Sequence, residues 1–263
     1  MGSGDGSMRI VRFCKGKEEP QFGWVFEDRI GIILGSPFGD FRRLEADIPY
    51  ENVKLFAPVV PNKIIGVGSN FIHLDDDTYK PSENPVIHLK PPTSVIGPGD
   101  DIILPPQAGQ VNHEAELAVV IGKKGRWIKN EQVKYHILGY TAANDVTAVD
   151  ILVEDGQWGR GKSFDTFCPL GPWIETDFDF SDILMTCRVN DELRQMASTR
   201  EFRFSIPELV VFVSSVMTLN PGDVILTGTP EGSGSIEEGD VVEVGIEGIG
   251  VLTNRVVREH FAV

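Results

Sequence analysis

In the run Val111-Asn112-His113-Glu114-Ala115-Glu116-Leu117-Ala118-Val119-Val120, two acids interrupt a stretch otherwise suited to a buried strand. Side chains of a strand alternate between faces, so Glu114 and Glu116 point one way and Ala115 and Leu117 the other. Two carboxylates on one face of a mostly buried strand repel each other and are costly to desolvate. A fold that accepts this segment needs a compensating charge at that place, and a bound cation is the direct remedy. Another acid in a similar setting follows, in Gly139-Tyr140-Thr141-Ala142-Ala143-Asn144-Asp145-Val146. Glu114, Glu116 and Asp145 can converge as an all-oxygen metal site. Without His or Cys, such a set favours a hard divalent ion, Mg2+ or Mn2+, with Ca2+ a further candidate that could occupy it in crystals. Three protein ligands leave about three octahedral positions open, two of which a 2-oxo acid can fill with its carboxylate and keto oxygens. The metal would then act as a Lewis acid on an enolate or oxyanion. The competing reading is an edge strand with both acids in solvent.

Charge narrows the partners. The net charge is −15, from 24 basic and 39 acidic residues. Such a field repels nucleic acid and anionic lipid, so neither a nucleic acid nor a membrane is expected as a partner. A small anionic substrate would need a local cation to draw it in. Residues 1–7 read as an expression scar, with Met8 as the native start. No apolar run after it is long enough to span a bilayer, and a soluble, cytoplasmic protein is expected. Cys14, Cys168 and Cys187 are odd in number and form no CxxC pair, which predicts reduced, packed thiols.

With 263 residues the chain suffices for one large domain, or one large and one small. The proline-marked connection from Phe56 to Lys63 divides a small N-terminal β domain, residues 8–58, from a metal-dependent catalytic domain, residues 62–263. Short strand-like runs punctuated by Pro and Gly dominate both parts. Helices are expected at Phe38–Ala46 and Asn130–Tyr135. A third is expected from the capping box Ser205-Ile206-Pro207-Glu208 on to Leu219. The fold class is α+β and β-rich.

A family resemblance rests on several ordered segments. They include Val86-Ile87-His88-Leu89-Lys90-Pro91-Pro92-Thr93-Ser94, Val111 to Gly122, Gly139 to Asp150, and Lys162-Ser163-Phe164-Asp165-Thr166-Phe167. Val189-Asn190-Asp191-Glu192-Leu193-Arg194-Gln195 and the stretch from Leu219 to Gly232 complete the order. Over nearly all of residues 60–257 the chain resembles the fumarylacetoacetate hydrolase superfamily. The resemblance implies a mixed β-roll catalytic domain, a homodimer, and Mg2+ or Mn2+ held by Glu114, Glu116 and Asp145. It implies chemistry on a 2-oxo acid: hydrolysis of acylpyruvates, decarboxylation of oxaloacetate, isomerisation of hydroxylated dienedioates or dehydration of sugar acids.

The same resemblance places further residues. Lys162 matches a catalytic lysine that faces the substrate, where it would add a charge-assisted donor. Thr229 matches a substrate-binding position. His73, in Gly68-Ser69-Asn70-Phe71-Ile72-His73-Leu74-Asp75-Asp76-Asp77, is the candidate general base, oriented by one of the acids after it. It lies three residues after Asn70, where the resemblance implies four. The Arg and Gln that the resemblance implies four and seven residues after the metal-binding Asp are replaced by Val149 and Leu152. Loss of one such polar donor costs about 3 kcal/mol of transition-state stabilisation. Arg160 is a candidate to supply charge to the substrate from the other side. His113 and His88 read as packing groups or as supports for the ligands.

These features predict a metal-dependent enzyme acting on a small anionic 2-oxo acid, with hydrolytic C–C cleavage of an acylpyruvate foremost. Decarboxylation or isomerisation, which need the enolate but no attacking water, are the enzymatic alternatives. Val149, Leu152 and the spacing of His73 also admit a metal-binding paralogue of little activity. An acidic scaffold explains none of the motif order.

Overall fold

Strand Ala115–Ile121, which carries Glu116, is buried at every one of its seven positions. It is flanked on both sides: Ile137–Asn144 pairs with it antiparallel, and so does Val224–Leu226. A strand enclosed in this way reads as a continuous apolar run, and an acid within it stands out. The computed structural model describes residues 7–71 and 82–259.

The largest sheet has 12 strands. Its path starts at Phe41–Pro49 and passes through Arg29–Gly35, Gln21–Phe26, Arg9–Cys14, Cys168–Glu175, Ile137–Asn144 and Ala115–Ile121. It continues through Val224–Leu226 and Ile64–Gly68 to Val86–Lys90. The sheet is mixed, because Val224–Leu226 and Ile64–Gly68 run parallel. The N-terminal domain joins it at Arg9–Cys14, where Ile10 pairs with Ile174 of the larger domain.

Alternation along Ala115–Ile121 feeds two cores. Leu117, Val119 and Ile121 pack with Met185, Val244 and Leu252, residues of a second, five-stranded sheet. Ala118 and Val120 face the other way and pack with Ile64, Leu170 and Leu226. Glu116 shares the parity of Ala118 and Val120 and emerges where that second face ends. A small three-stranded sheet of Thr147–Ala148, Val111–His113 and Gly234–Ser235 closes the same end. The fold is thus the β-rich α+β arrangement expected from the sequence.

The helices depart from expectation in three places. Phe38–Ala46 is not helical. Ser36 and Asp40 close a turn, and Phe41–Pro49 returns as a strand beside Arg29–Gly35. Leu44, Ala46 and Ile48 are partly buried while Glu45 and Asp47 are exposed, a period of two that overrides local helix preference. The Ser205 box opens helix Ile206–Val216, with Glu208 Oε2 accepting from the Ser205 backbone N–H at 2.8 Å. This helix stops short of Leu219, whose backbone is claimed by a two-way bridge to Gly125. The unexpected helix is Val149–Asp155, named α1 here, with Ile206–Val216 as α2. Asn130–Tyr135 forms a 3-10 helix. No described helix is long and apolar enough to cross a membrane.

All three cysteines are free and buried. Burial pushes the Cys168 and Cys187 thiols up to about 12. Native protein at neutral pH is therefore expected to resist a thiol-disulfide reagent, with all three thiols reacting once denaturant is added. Rapid labelling of Cys168 or Cys187 in the folded state would contradict this packing.

Candidate metal centre

The hairpin register explains how residues distant in sequence meet. Ala115 pairs with Asn144, so Glu114 and Asp145, each one step beyond, stand opposite each other at the ladder's end. The Asp145 N–H donates to Glu114 O at 2.9 Å, and the Glu114 N–H donates to Asn144 Oδ1 at 2.8 Å. Glu116 lies on the same face as Glu114. One carboxylate oxygen from each of Glu114, Glu116 and Asp145 falls within 4.8 Å of the others.

Cations and donors converge on this cluster from four other segments. Lys162 Nζ bridges Glu114 Oε2 at 2.6 Å and Asp145 Oδ2 at 2.7 Å. Lys90 Nζ lies 2.6 Å from Asp145 Oδ1, and His88 Nε2 lies 3.1 Å from Asp145 Oδ2. Both come from strand Val86–Lys90, whose burial is inverted: His88 and Lys90 are buried while Val86 and Leu89 are exposed. The Thr147 hydroxyl lies 2.9 Å from Glu114 Oε1, and the Gly228 N–H donates to Glu116 Oε2 at 2.6 Å. Two glycines on the neighbouring strand make room. A Cβ on Gly66 would fall 2.1 Å from the His88 ring, and one on Gly68 would fall 2.3 Å from the Trp158 ring.

Charge is unevenly compensated. Burial alone would raise the Asp145 carboxyl, but Lys162, Lys90 and His88 hold it well below the usual range. Burial also works against a charged Lys162, yet Asp145 and Glu114 more than offset it and keep it a firm ammonium. Glu116 is the exception. Burial and the negative charge of Asp145 push its carboxyl well above the ordinary value. The only hydrogen bond to its carboxylate among the described residues comes from Gly228 N. Three carboxyl groups face two ammonium groups, which pair with Glu114 and Asp145, and Glu116 is the one left without an ion-pair partner among the described residues. A hard divalent cation fits the deficit, the all-oxygen donor set and the spacing.

The cluster lines a cleft of about 210 Å³. Lys162, Thr229 and His88 flank the carboxylates, while Val67, Leu152 and Trp158 form an apolar side. A hollow of about 370 Å³ beside Trp173 is larger but gathers no comparable set of ligands.

Of the residues singled out in the sequence, Glu114, Glu116, Asp145, Lys162 and Thr229 come together here. Arg160 does not line this cleft. Its guanidinium pairs with Asp155 at 2.5 Å and Glu154 at 3.1 Å on the exposed side. Local acids two helical turns or less away hold it outward. His73 and Asp75 to Asp77 lie outside the described residues. Leu152 lines the cleft and Val149 opens α1, so the segment after Asp145 contributes an apolar wall. Lys90, Trp158 and Gly228 were not anticipated. For Lys90 a signal existed: two polar residues at alternate positions of an apolar run, the pattern that marked Glu114 and Glu116.

Fold and site together define a β-roll protein with a carboxylate cradle suited to a divalent metal. Residues 63–257 match the family described as fumarylacetoacetate (FAA) hydrolase, C-terminal, and residues 8–58 match one described as Rv2993c-like, N-terminal. The chain belongs to the fumarylacetoacetate hydrolase family, whose members are enzymes. It is 43% identical over 223 residues to the mitochondrial oxaloacetate tautomerase Fahd2a of Rattus norvegicus, covering 80% of this chain and 71% of that protein. The crystal structure of 5-carboxymethyl-2-hydroxymuconate delta-isomerase from Mycobacterium smegmatis superposes with a TM-score of 0.89 at 44% identity, covering 96% of this chain and all of that one. The maleylpyruvate hydrolase of Sphingobium sp. SYK-6, in complex with manganese(II) and pyruvate, superposes with a TM-score of 0.80 at 33% identity, covering 96% of this chain and 100% of that one.

The uneven charge predicts an inverted response to one substitution. Glu116→Gln removes a buried, uncompensated carboxylate and is expected to raise the melting temperature in chelator. The same variant is expected to lose most of the stabilisation that Mn2+ confers on the wild type. A Glu116→Gln protein that melts lower in chelator, and is stabilised by Mn2+ as the wild type is, would contradict the charge deficit.

Proposed function

We propose that this chain is a Mg2+- or Mn2+-dependent enzyme that moves a proton on a 2-oxo acid or its enol, as a tautomerase or double-bond isomerase. The observation that carries this reading is Glu116, left without an ion pair beside the ammonium of Lys162, in a cleft that Val67, Leu152 and Trp158 also line. That combination offers charge to a developing oxyanion and shelters the carbon skeleton from water.

A bound divalent ion supplies Lewis-acid polarisation of the 2-oxo group. Glu114, Glu116 and Asp145 would hold it, with His88 and Lys90 fixing the Asp145 carboxylate from behind. Lys162 adds a fixed positive charge for the enolate oxygen. It stays protonated, so it serves as a donor and not as the base; His73, the candidate base of the sequence, would take the proton and return it. The Thr229 hydroxyl proton is directed at Ala115 O at 2.9 Å, which leaves the side chain a lone pair and no proton for the substrate. Leu152, Trp158 and Val67 receive the distal part of the substrate and exclude water from it. Water exclusion favours return of the proton to carbon over hydrolytic attack. The names of the two more similar relatives, a tautomerase and a delta-isomerase, agree with this class of reaction.

The second reading is hydrolytic C–C cleavage of an acylpyruvate, favoured by the likeness to maleylpyruvate hydrolase. It needs an activated water, for which His73 is the candidate base.

Conversion of enol-oxaloacetate to its keto form, followed by loss of the enol absorbance with Mn2+ present, discriminates between them. Acceleration is expected, with a loss of about 100-fold or more on chelation or in Asp145→Asn. Pyruvate release from acylpyruvates without any tautomerisation would move the assignment to hydrolysis, and turnover indifferent to chelator would remove the metal. The apolar wall makes a separate prediction. Leu152→Arg is expected to lower kcat/KM about tenfold or more for 2-oxo acids with an apolar distal group, and less for dicarboxylic ones. Equal losses on both classes would exclude Leu152 as a specificity contact.

A further inference from the structure

Gln195 is 1% exposed and belongs to strand Glu192–Ser198 at the edge of the five-stranded sheet, yet its side chain reaches the metal-binding hairpin of the other sheet. Its carboxamide is fully engaged. Oε1 accepts from the Ala115 N–H at 3.0 Å and lies 3.1 Å from His113 Nδ1. Nε2 donates to Thr229 Oγ1 at 2.8 Å and to Pro230 O at 2.8 Å. A carbonyl oxygen can only accept, so Pro230 fixes which end of the amide is nitrogen. It follows that His113 carries its proton on Nδ1.

Thr229 closes the circuit by donating its hydroxyl proton to Ala115 O at 2.9 Å. Gln195, the peptide groups of Ala115 and the hydroxyl of Thr229 form a ring of three hydrogen bonds. Ala115 is the residue between Glu114 and Glu116. Thr229 follows Gly228, whose N–H holds Glu116 at 2.6 Å. The ring therefore sets both attachments of Glu116: the backbone that carries it and the loop that binds its carboxylate.

We propose that Gln195 is a positioning residue for the metal centre, locking the Glu114–Glu116 backbone to the Gly228–Thr229 loop so that the three carboxylates stay in register for a divalent ion. This rests on the metal reading proposed above. A residue serving only to dock the two sheets would alter stability but would leave metal affinity untouched once the protein is folded.

The test is calorimetric titration of Mn2+ alone into metal-free wild type, Gln195→Glu, Gln195→Ala, Thr229→Val, Thr229→Ser and the Gln195→Ala/Thr229→Val double variant. Gln195→Glu keeps the size and the acceptor but loses both donated bonds. Gln195→Glu, Gln195→Ala and Thr229→Val are each expected to bind Mn2+ about 10- to 100-fold more weakly, the usual cost of removing a group that orients a ligand. Thr229→Ser keeps the hydroxyl and is expected to bind as the wild type does. Because the two positions belong to one ring, the double variant is expected to be no weaker than the poorer single one. Thr229→Val and Thr229→Ser decide the matter if the Gln195 variants fail to fold. Wild-type affinity in Thr229→Val, or losses that multiply in the double variant, would overturn the inference. A wild type that binds no Mn2+ removes the metal reading itself, and this inference with it.

Discussion

Everything at the candidate site depends on the ladder between Ala115–Ile121 and Ile137–Asn144. Because Ala115 pairs with Asn144, the residues just past that pair, Glu114 and Asp145, are forced together at the end of a buried hairpin. A slip of one residue would turn Glu116 toward the inter-sheet core and Leu117 toward the cleft, so the packing of Leu117, Val119 and Ile121 also sets the geometry of the carboxylates. The apolar core thus pins the carboxylates in a place where they repel one another. The rest of the site answers that repulsion. Lys162 comes from one loop and Lys90 and His88 from a single strand, and all three converge on Asp145. Glu116 is left with one backbone donor, which makes it the point where a divalent ion gains most.

Segments with an unambiguous period were legible in the sequence. The ExE pair stood out because two acids on one face of an apolar run call for a compensating charge unless the strand is a solvent-facing edge, and the Ser205 capping box marked a helix start through its local chemistry. Helix α1 was hidden by composition. Val149-Asp150-Ile151-Leu152-Val153 is rich in β-branched residues, and tertiary anchors override that preference. The Val149 N–H is held by Gln110 O at 2.9 Å, and Asp150 Oδ2 accepts from the Gly109 N–H at 2.7 Å. The contribution of Lys90 was obscured for a different reason. Its strand buries polar residues and exposes apolar ones, which inverts the rule by which strands are read.

Arg160 and Lys162 show how far charge type alone can mislead. Both lie in one turn, two residues apart, with opposite fates. The Lys162 N–H bonds to Trp158 O at 3.0 Å, and Ala148 N–H to Gly161 O at 2.9 Å, so the turn is pressed against the start of α1. A Cβ on Gly161 would fall 2.7 Å from Ala148 O, so a glycine is what permits that approach. The approach carries Lys162 into the cleft. Arg160 remains outside, where Asp155 and Glu154 at the end of α1 receive it. The lysine is selected by backbone packing, and its charge is then used where packing leaves it.

The segment after Asp145 separates two duties. Its backbone is fixed by Gln110 and Gly161, and the Asp150 side chain is held by Gly109, so none of these bonds involves the side chain at position 152. Asp145 itself is fixed by Glu114 on one side and by His88 and Lys90 on the other. A change of residue at position 152 therefore alters the wall that meets the substrate without disturbing the carboxylates. Trp158, whose ring packs against Gly68, extends that wall from a different loop. A cleft built this way holds its charged end in place through contacts that do not involve the side chain at position 152. Where polar donors on α1 would hold a charged group or a water, Leu152 offers neither. The proton transfer proposed above suits such a wall, because it moves a proton within the substrate and needs no second reactant.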